Sequence, residues 1–439
     1  MIVMKFGGTS VGTPDRIKAL APLVQKDEPV LVVLSALSGT TNALADIAGS
    51  LYAGDAKTAL ATIKELEEHY RFFLDTLFEN SGSGVDAREA VAACLNAIKA
   101  YTRRACTPVI ERTILAQGEL MSTQIFYHFL RQQGRRPVLL NALDFMRTTE
   151  DGDPDDDYIR ENLQFEISKY PEKQLFITQG YICRNAYGEV DNLKRGGSDY
   201  TASLAGAALD VREIQIWTDI DGMHNNDPRV VSQTRPISEL SFYEAAELAY
   251  FGAKILHPSS VGPAAEKGIP VRLKNTMQPE APGTLISNKS DADGFKAVAA
   301  KDGIIAIKIR SGRMLLAYGF LRMIFEVFER YRTPIDMITT SEVAVSVTID
   351  DDTHLTEIIN DLQNYGTVEV DKEQTIVCIV GNFLQDKTGY AAQIFTALNE
   401  IPVRMISYGG SRHNVSILVD SRFKADTLKA LNRGIFEIG

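Results

Sequence analysis

Closing a mostly apolar run at residues 2–6, the segment Lys5-Phe6-Gly7-Gly8-Thr9-Ser10-Val11-Gly12 sets a lysine beside a glycine turn. Glycines free the backbone to aim several N–H groups into one concavity, and the helix start that follows adds a positive dipole end. Both favour phosphate. Gly7 and Gly12 have the spacing of a Walker A loop, but Thr13 stands where that motif demands lysine, so the motif is excluded. The cation is Lys5, on the strand before the turn, and lysine there is costly to bury without an anion. A glycine turn alone is more often a tight loop than a phosphate site.

A second glycine pair lies in Lys194-Arg195-Gly196-Gly197-Ser198-Asp199-Tyr200-Thr201, before a helical pattern over 201–209. Arg195 offers a planar fork for carboxylate or phosphate. Ser198 is a candidate cap, and Asp199 falls in the first turn, where the dipole favours its ionised form. In isolation, a helix cap with a solvated arginine is the simpler account. The third segment is Trp217-Thr218-Asp219-Ile220-Asp221-Gly222-Met223-His224-Asn225-Asn226-Asp227-Pro228-Arg229. Counted from Asp219, Gly222 comes fourth; an EF-hand needs glycine sixth and a late glutamate, so calcium is excluded. A polar loop at the carboxyl end of a parallel strand is where α/β sheets bind nucleotides. Phe251-Gly252-Ala253-Lys254 brings a lysine to a helix end, where C-capping is its plain role. The acidic run 150–157 reads as a solvated loop. Glu119 lies in a long helical pattern, where a surface glutamate is the default.

The elements that must position these residues follow from periodicity. Short apolar runs at 2–6, 30–35, 138–141, 175–179, 214–218 and 271–273 read as buried strands alternating with helical patterns, the mark of a layered α/β domain. Thr13-Pro14-Asp15 starts a helix with a cap, a proline at the first position and an acid in the first turn. Three long helical stretches are expected within 41–134. Punctuation thickens at Gln278-Pro279-Glu280-Ala281-Pro282-Gly283, which places a linker from there to about Gly294. Beyond it, Gly319-Phe320 leads through Pro334-Ile335-Asp336-Met337-Ile338 to a strand at 343–349. Gly389-Tyr390 leads through Pro402-Val403-Arg404-Met405-Ile406 to one at 415–419. The offset is about 70 residues throughout, so two copies of one helix–strand–strand unit are expected.

With 439 residues and 45% hydrophobic content, the chain has material for two or three domains. A net charge of −11 argues against nucleic acid or anionic membrane as partner. The four cysteines, Cys94, Cys106, Cys183 and Cys378, form no CxxC pair, which suits a reducing compartment and supports no metal site. No signal-peptide pattern precedes the glycine turn, and the longest apolar run, 29–37, is too short to span a bilayer. A cytoplasmic protein is expected.

Together and in this order, the motifs resemble the aspartokinase family of amino-acid kinases. The resemblance rests on Lys5-Phe6-Gly7-Gly8-Thr9-Ser10-Val11, Ser35-Ala36 with Thr41-Asn42, Gly118-Glu119 and Arg195-Gly196-Gly197-Ser198-Asp199-Tyr200-Thr201. It continues through Thr218-Asp219-Ile220-Asp221-Gly222, Asp227-Pro228-Arg229 and Phe251-Gly252-Ala253-Lys254, and covers essentially the whole chain. It implies a three-layer αβα catalytic domain over 1–285 and a regulatory region over 286–439. That region would hold two ferredoxin-like ACT modules, βαββαβ units at about 300–372 and 373–439, whose strands can interleave in sequence.

The implied activity is ATP-dependent phosphorylation of the L-aspartate β-carboxylate to 4-phospho-L-aspartate, first step of lysine, threonine and methionine biosynthesis. Mg²⁺ would be held mainly through the nucleotide phosphates, with no separate set of metal ligands. By resemblance, Lys5 neutralises the transferring phosphoryl group, Gly7 and Gly8 donate N–H bonds to phosphate, and Asp199 organises the site. Arg195 clamps the substrate's α-carboxylate and Glu119 meets its ammonium, with Thr41 and Ser198 completing the pocket. Thr218, Asp219, His224, Arg229 and Lys254 fall on positions that hold the nucleotide; His224 stands where relatives carry tyrosine. Met314, Phe320, Leu321, Ile335, Asp336, Thr340, Ser341 and Glu342 resemble the effector positions of lysine-inhibited members, with Ala317 where relatives often carry serine. L-Lysine is therefore the expected allosteric ligand, and a homodimer through the ACT modules the expected assembly. The rivals are a kinase for glutamate or N-acetylglutamate, and an inactive amino-acid sensor. Arg195 to Thr201 and the ACT-like tail favour aspartate; intact Lys5, Glu119, Arg195 and Asp199 argue against the sensor.

Overall fold

The computed structural model describes residues 1–79, 84–193, 196–252, 258–289, 294–312, 318–382 and 388–438. By its contacts the chain forms two compact units, Met1–Met223 with Leu256–Lys289, and His224–Ile255 with Ser290–Gly439. The stretch 224–255, expected in the catalytic domain, thus groups with the second unit. No described helix is long and apolar enough to cross a membrane.

The first unit opens with β1 (Ile2–Phe6), α1 (Gly8–Val11), α2 (Pro14–Leu23) and β2 (Val30–Leu34). Thr13 caps α2 as expected, its side chain accepting from the Arg16 N–H. Four helices follow where three were expected: α3 (Thr40–Tyr52), α4 (Ala56–Leu77), α5 (Val85–Tyr101) and α6 (Pro108–Gln132). The extra break falls at Ala53-Gly54-Asp55, where Gly54 takes a positive φ and Asp55 caps α4. Then come β3 (Val138–Leu139), α7 (Asp156–Ser168), β4 (Leu175–Gln179), β5 (Ile182–Arg184), β6 (Val190–Asn192), α8 (Gly197–Leu209) and β7 (Glu213–Thr218). After β8 (Glu239–Ser241) and α9 (Phe242–Tyr250) of the second unit, the chain returns with α10 (Gly262–Lys267), β9 (Val271–Asn275) and β10 (Thr284–Ser287). The expected linker therefore contains a strand: β10 pairs antiparallel with β9.

The strands of this unit run in the order β3-β4-β2-β1-β7-β9-β10, parallel up to β9. β1 and β2 are near-continuous apolar runs because both faces of a central parallel strand are covered. Side chains alternate between those faces. Ile2, Met4 and Phe6 join Val30, Val32 and Leu34 in one core with α2 to α6. Lys5 therefore points to the opposite face, the one that meets α8.

The second unit continues with β11 (Gly294–Arg310), α11 (Phe320–Arg330), β12 (Ile338–Thr340), β13 (Ala344–Ile349), α12 (Leu355–Leu362) and β14 (Thr367–Asn382). It ends with α13 (Tyr390–Ala397), β15 (Val403–Tyr408), β16 (Asn414–Asp420) and α14 (Lys424–Phe436). One antiparallel sheet has the order β12-β13-β11-β14-β16-β15. Its two cores divide the long strands. Ile305, Ile307 and Ile309 of β11 pack with α11, β13 and α12, whereas Val298 of the same strand packs with β14, β16, α13 and α14. The first module reads βαββαβ in chain order; the second takes its last strand from the start of β11. The repeat survives in detail, since Gly319 and Gly389 cap α11 and α13 with φ of 80° and 100°.

Candidate active site

The first unit gathers its polar residues at the carboxyl ends of β1, β2, β4 and β7, where the register aligns Phe6 with Leu34 and Trp217, and Leu34 with Gln179. Strands β2 and β7 leave β1 on either side, the place where open parallel sheets bind ligands. Across that edge lies the start of α8. Its N-cap is Gly196, at a φ of 68° that favours glycine, with no side-chain cap bond. Ser198 is thus not the cap, and the helix begins at Gly197 rather than at residue 201.

Lys5 Nζ lies 2.7 Å from Asp199 Oδ1, joining the sheet to the first turn of α8, and both side chains are largely shielded (12% and 16% exposed). Ser198 is buried and accepts from the Ser35 hydroxyl at 2.9 Å. Room for this contact exists because residue 180 is glycine: a Cβ there would sit 2.4 Å from Ser198 Oγ. Thr201 ties the helix to the turn between β4 and β5, its hydroxyl accepting from the Tyr181 N–H at 2.9 Å. Sequence reasoning passed over Gly180 and Tyr181; the signal was a glycine closing an apolar strand.

Glu119 reverses the surface expectation. Its side chain is buried and accepts the Ala36 N–H at 3.2 Å. Burial pushes its carboxyl up to about 8, against the pull of that hydrogen bond and of the Lys5 charge. Gly118 makes this approach possible, since a Cβ there would meet the Ala36 methyl at 2.8 Å. Thr41 is exposed in the first turn of α3. Its buried neighbour Thr40 hydrogen-bonds Tyr70 at 3.0 Å.

The glycine turn is itself a short helix, α1. The Gly7 N–H, expected to face phosphate, donates to Trp217 O at 3.3 Å. Ser10 braces the same corner, donating to Trp217 O at 3.4 Å and sharing a 2.7 Å hydrogen bond with Thr276. Thr218 donates to Asp219 at 3.1 Å at the end of β7. His224 and Arg229 belong to the second unit. There His224 Nδ1 bonds Thr234 Oγ1 at 2.7 Å, and exposed Arg229 forks onto Asp227 at 2.8 and 2.9 Å. The Arg229 side chain thereby holds the Asp227 carboxyl below its ordinary range. Arg195 and Lys254 lie outside the described residues.

The chain matches the amino acid kinase family over residues 1–275 and an ACT domain over 377–434. It is 34% identical to the lysine-sensitive aspartokinase 3 of Escherichia coli, over 100% of this chain and 99% of that one. The chain belongs to the aspartokinase family. A chloroplastic aspartokinase 3 of Arabidopsis thaliana is 33% identical, over 99% of this chain and 81% of the relative. Among solved aspartokinases, E. coli aspartokinase III with aspartate and ADP, in its R-state, matches with a TM-score of 0.85 over 99% of this chain and all of that one. The same enzyme with lysine and aspartate, in its T-state, gives 0.81 over 99% of each chain.

Of the positions expected to bind the effector, Met314 lies outside the described residues, as does the departure at Ala317. Phe320 is buried, Ile335 half-buried, and Leu321, Thr340, Ser341 and Glu342 are exposed. Asp336 is not an open loop acid. Its side chain is 1% exposed, Lys301 Nζ lies 2.7 Å from its Oδ1, and the Tyr250 hydroxyl donates to the same oxygen at 2.7 Å. Lys301 also reaches Asp350 at 2.8 Å.

Proposed function

We propose that this chain transfers the γ-phosphoryl group of ATP to the β-carboxylate of L-aspartate, giving 4-phospho-L-aspartate and ADP, under feedback by L-lysine acting on its second unit. The observation that carries the reading is the Lys5–Asp199 ion pair at the end of β1, with the buried Glu119 behind Ala36. The attacking carboxylate has an ordinary pKa of about 3.9 and is already ionised at neutral pH, so no general base is required. Two anions must instead be brought in line, which is a task of positioning and charge neutralisation. Lys5 takes the charge on the transferring group and Asp199 fixes its ammonium. Glu119, held up by burial while it lacks a cation, ionises beside the substrate's ammonium; Arg195 clamps the α-carboxylate, with Ser198 and Thr41 at the pocket wall.

Gly8, at the first position of α1, faces phosphate, and Gly7 does so only by releasing Trp217 O. Thr218, Asp219, His224, Arg229 and Lys254 hold the nucleotide. Mg²⁺ would be held mainly through the nucleotide phosphates, whose hard oxygens suit it. When bound, Mg²⁺ supplies further neutralisation of the phosphate charge. Exposed Leu321, Phe325, Ile338 and Val343 on the first regulatory module offer apolar surface that a homodimer through the ACT modules would cover. The four free cysteines suit the cytoplasm.

Acyl phosphate formed from Mg-ATP and trapped with hydroxylamine tests the reading, with aspartate against glutamate, each with and without lysine. Turnover with aspartate alone, suppressed by lysine, is expected. Turnover of glutamate, or of neither, overturns it.

A further inference from the structure

We propose that Asn432, on the last helix of the regulatory region, is a positioning residue for ATP: it holds the 224–236 loop through a buried amide network. The proposal rests on the reading that His224 and Arg229 in this loop meet the nucleotide. The loop is a hairpin. His224 pairs antiparallel with Pro236, the Asn225 N–H donates to Arg235 O at 3.0 Å, and the Arg235 N–H donates to Asn225 Oδ1 at 2.6 Å. Two adjacent asparagines at its base turn inward, and Asn225, Asn226 and Asn432 are 4%, 3% and 2% exposed.

Asn432 Oδ1 accepts from Asn225 Nδ2 at 3.2 Å and from Asn226 Nδ2 at 3.4 Å. Its own amide donates to Gln233 O at 3.1 Å, on the far arm of the hairpin, and to Ile438 O at 3.0 Å. Asn226 also donates to Leu428 O of α14 at 3.0 Å, and Asn225 O accepts the Val298 N–H of β11 at 2.8 Å. A single side chain thus bridges both arms of the hairpin to α14. Buried amides left without these partners lose their geometry at high cost, so the network fixes one loop conformation rather than several.

This arrangement assigns the nucleotide loop's rigidity to the regulatory region. Asn226 Oδ1 also accepts the Asp227 N–H at 2.9 Å, which orients the Asp227–Arg229 fork. Cutting the tie to α14 therefore frees the residues that meet ATP without touching the aspartate pocket.

The test is steady-state kinetics of the full chain, with KM for ATP and for aspartate read separately. Asn432→Ala removes the bridge. Asn226→Ser is the milder cut: its shorter hydroxyl still accepts from Asp227 N–H but no longer reaches Leu428 or Asn432. Both are expected to raise KM for ATP about tenfold, the effect of about one lost net hydrogen bond, with KM for aspartate within about twofold. The proposal is overturned if Asn226→Ser leaves KM for ATP unchanged, or if both KM values rise together as melting temperature falls. Arg229→Ala separates the two claims. If it leaves KM for ATP unchanged, the loop does not meet the nucleotide; if it raises KM for ATP and Asn226→Ser does not, only the positioning role fails.

Discussion

Aspartate binding should release a proton from Glu119. Burial lifts this carboxyl from 4.5 to about 8, with the Ala36 N–H and the Lys5 charge opposing the lift. That rise corresponds to about 5 kcal/mol against the ionised form in the substrate-free chain. With a folded-state pKa raised above the unfolded one, the stability this group contributes is present below about 4.5 and lost as pH rises through about 8. An ammonium placed against Glu119 reverses the balance. At pH 7 the free group is about 90% protonated, so each aspartate bound releases about 0.9 of a proton. Apparent affinity for aspartate then rises about tenfold per pH unit below 8 and levels off above it. Calorimetry in buffers of different ionisation enthalpy reads the proton directly, and a coupled ADP assay reads the KM profile. Glu119→Gln should raise KM for aspartate about 10- to 100-fold at pH 8, the cost of one charged hydrogen bond, and flatten the profile below it. No proton release at pH 7, or a Glu119→Gln variant that keeps the wild-type profile, refutes the reasoning.

Lys5→Ala should lower kcat on the order of 10²-fold, as loss of other charge-stabilising donors does; a folded variant with unchanged kcat removes Lys5 from the chemistry. Gly180→Ala forces a methyl against Ser198 and should lower both kcat and thermal stability, the latter by about 1–3 kcal/mol; wild-type melting and kinetics would show that the α8 turn yields freely. Lys301→Met removes the chain's own ammonium from Asp336, so the lysine concentration giving half-inhibition should fall about tenfold, the effect of one released charged hydrogen bond. Weaker inhibition in that variant would mean that Lys301 builds the effector site rather than competing for it.

The strands at 2–6 and 175–179 were legible to the residue, because a buried parallel strand is a near-continuous apolar run and needs no partner to be recognised. The α2 cap was equally local. What stayed hidden depends on distant chain. Nothing near Glu119 announces its burial; it follows from Gly118, whose missing side chain lets α6 approach Ala36. The resemblance marked Asp336 as an effector ligand, yet Lys301 and Tyr250, which occupy it, come from separate parts of the second unit. The Asn225–Asn226–Asn432 network was invisible for the same reason: amides at a polar turn look solvated until the helix that buries them is known.

Strands β11 and β14, of 17 and 16 residues, form one antiparallel ribbon through both regulatory modules, roughly 55 Å long at about 3.3 Å per residue. Mechanically this is a torsion bar with a hydrophobic hub at each end. Its register shifts between Phe295 and Ala297 and twice more between Lys301 and Ala306, the latter at the joint between the hubs. Lys301, the residue gripping Asp336, sits at the edge of that joint. No single cut of the backbone can separate the two hubs, because each strand serves both. A load applied to one hub is therefore carried to the other through hydrogen-bonded backbone, with no slack linker to absorb it.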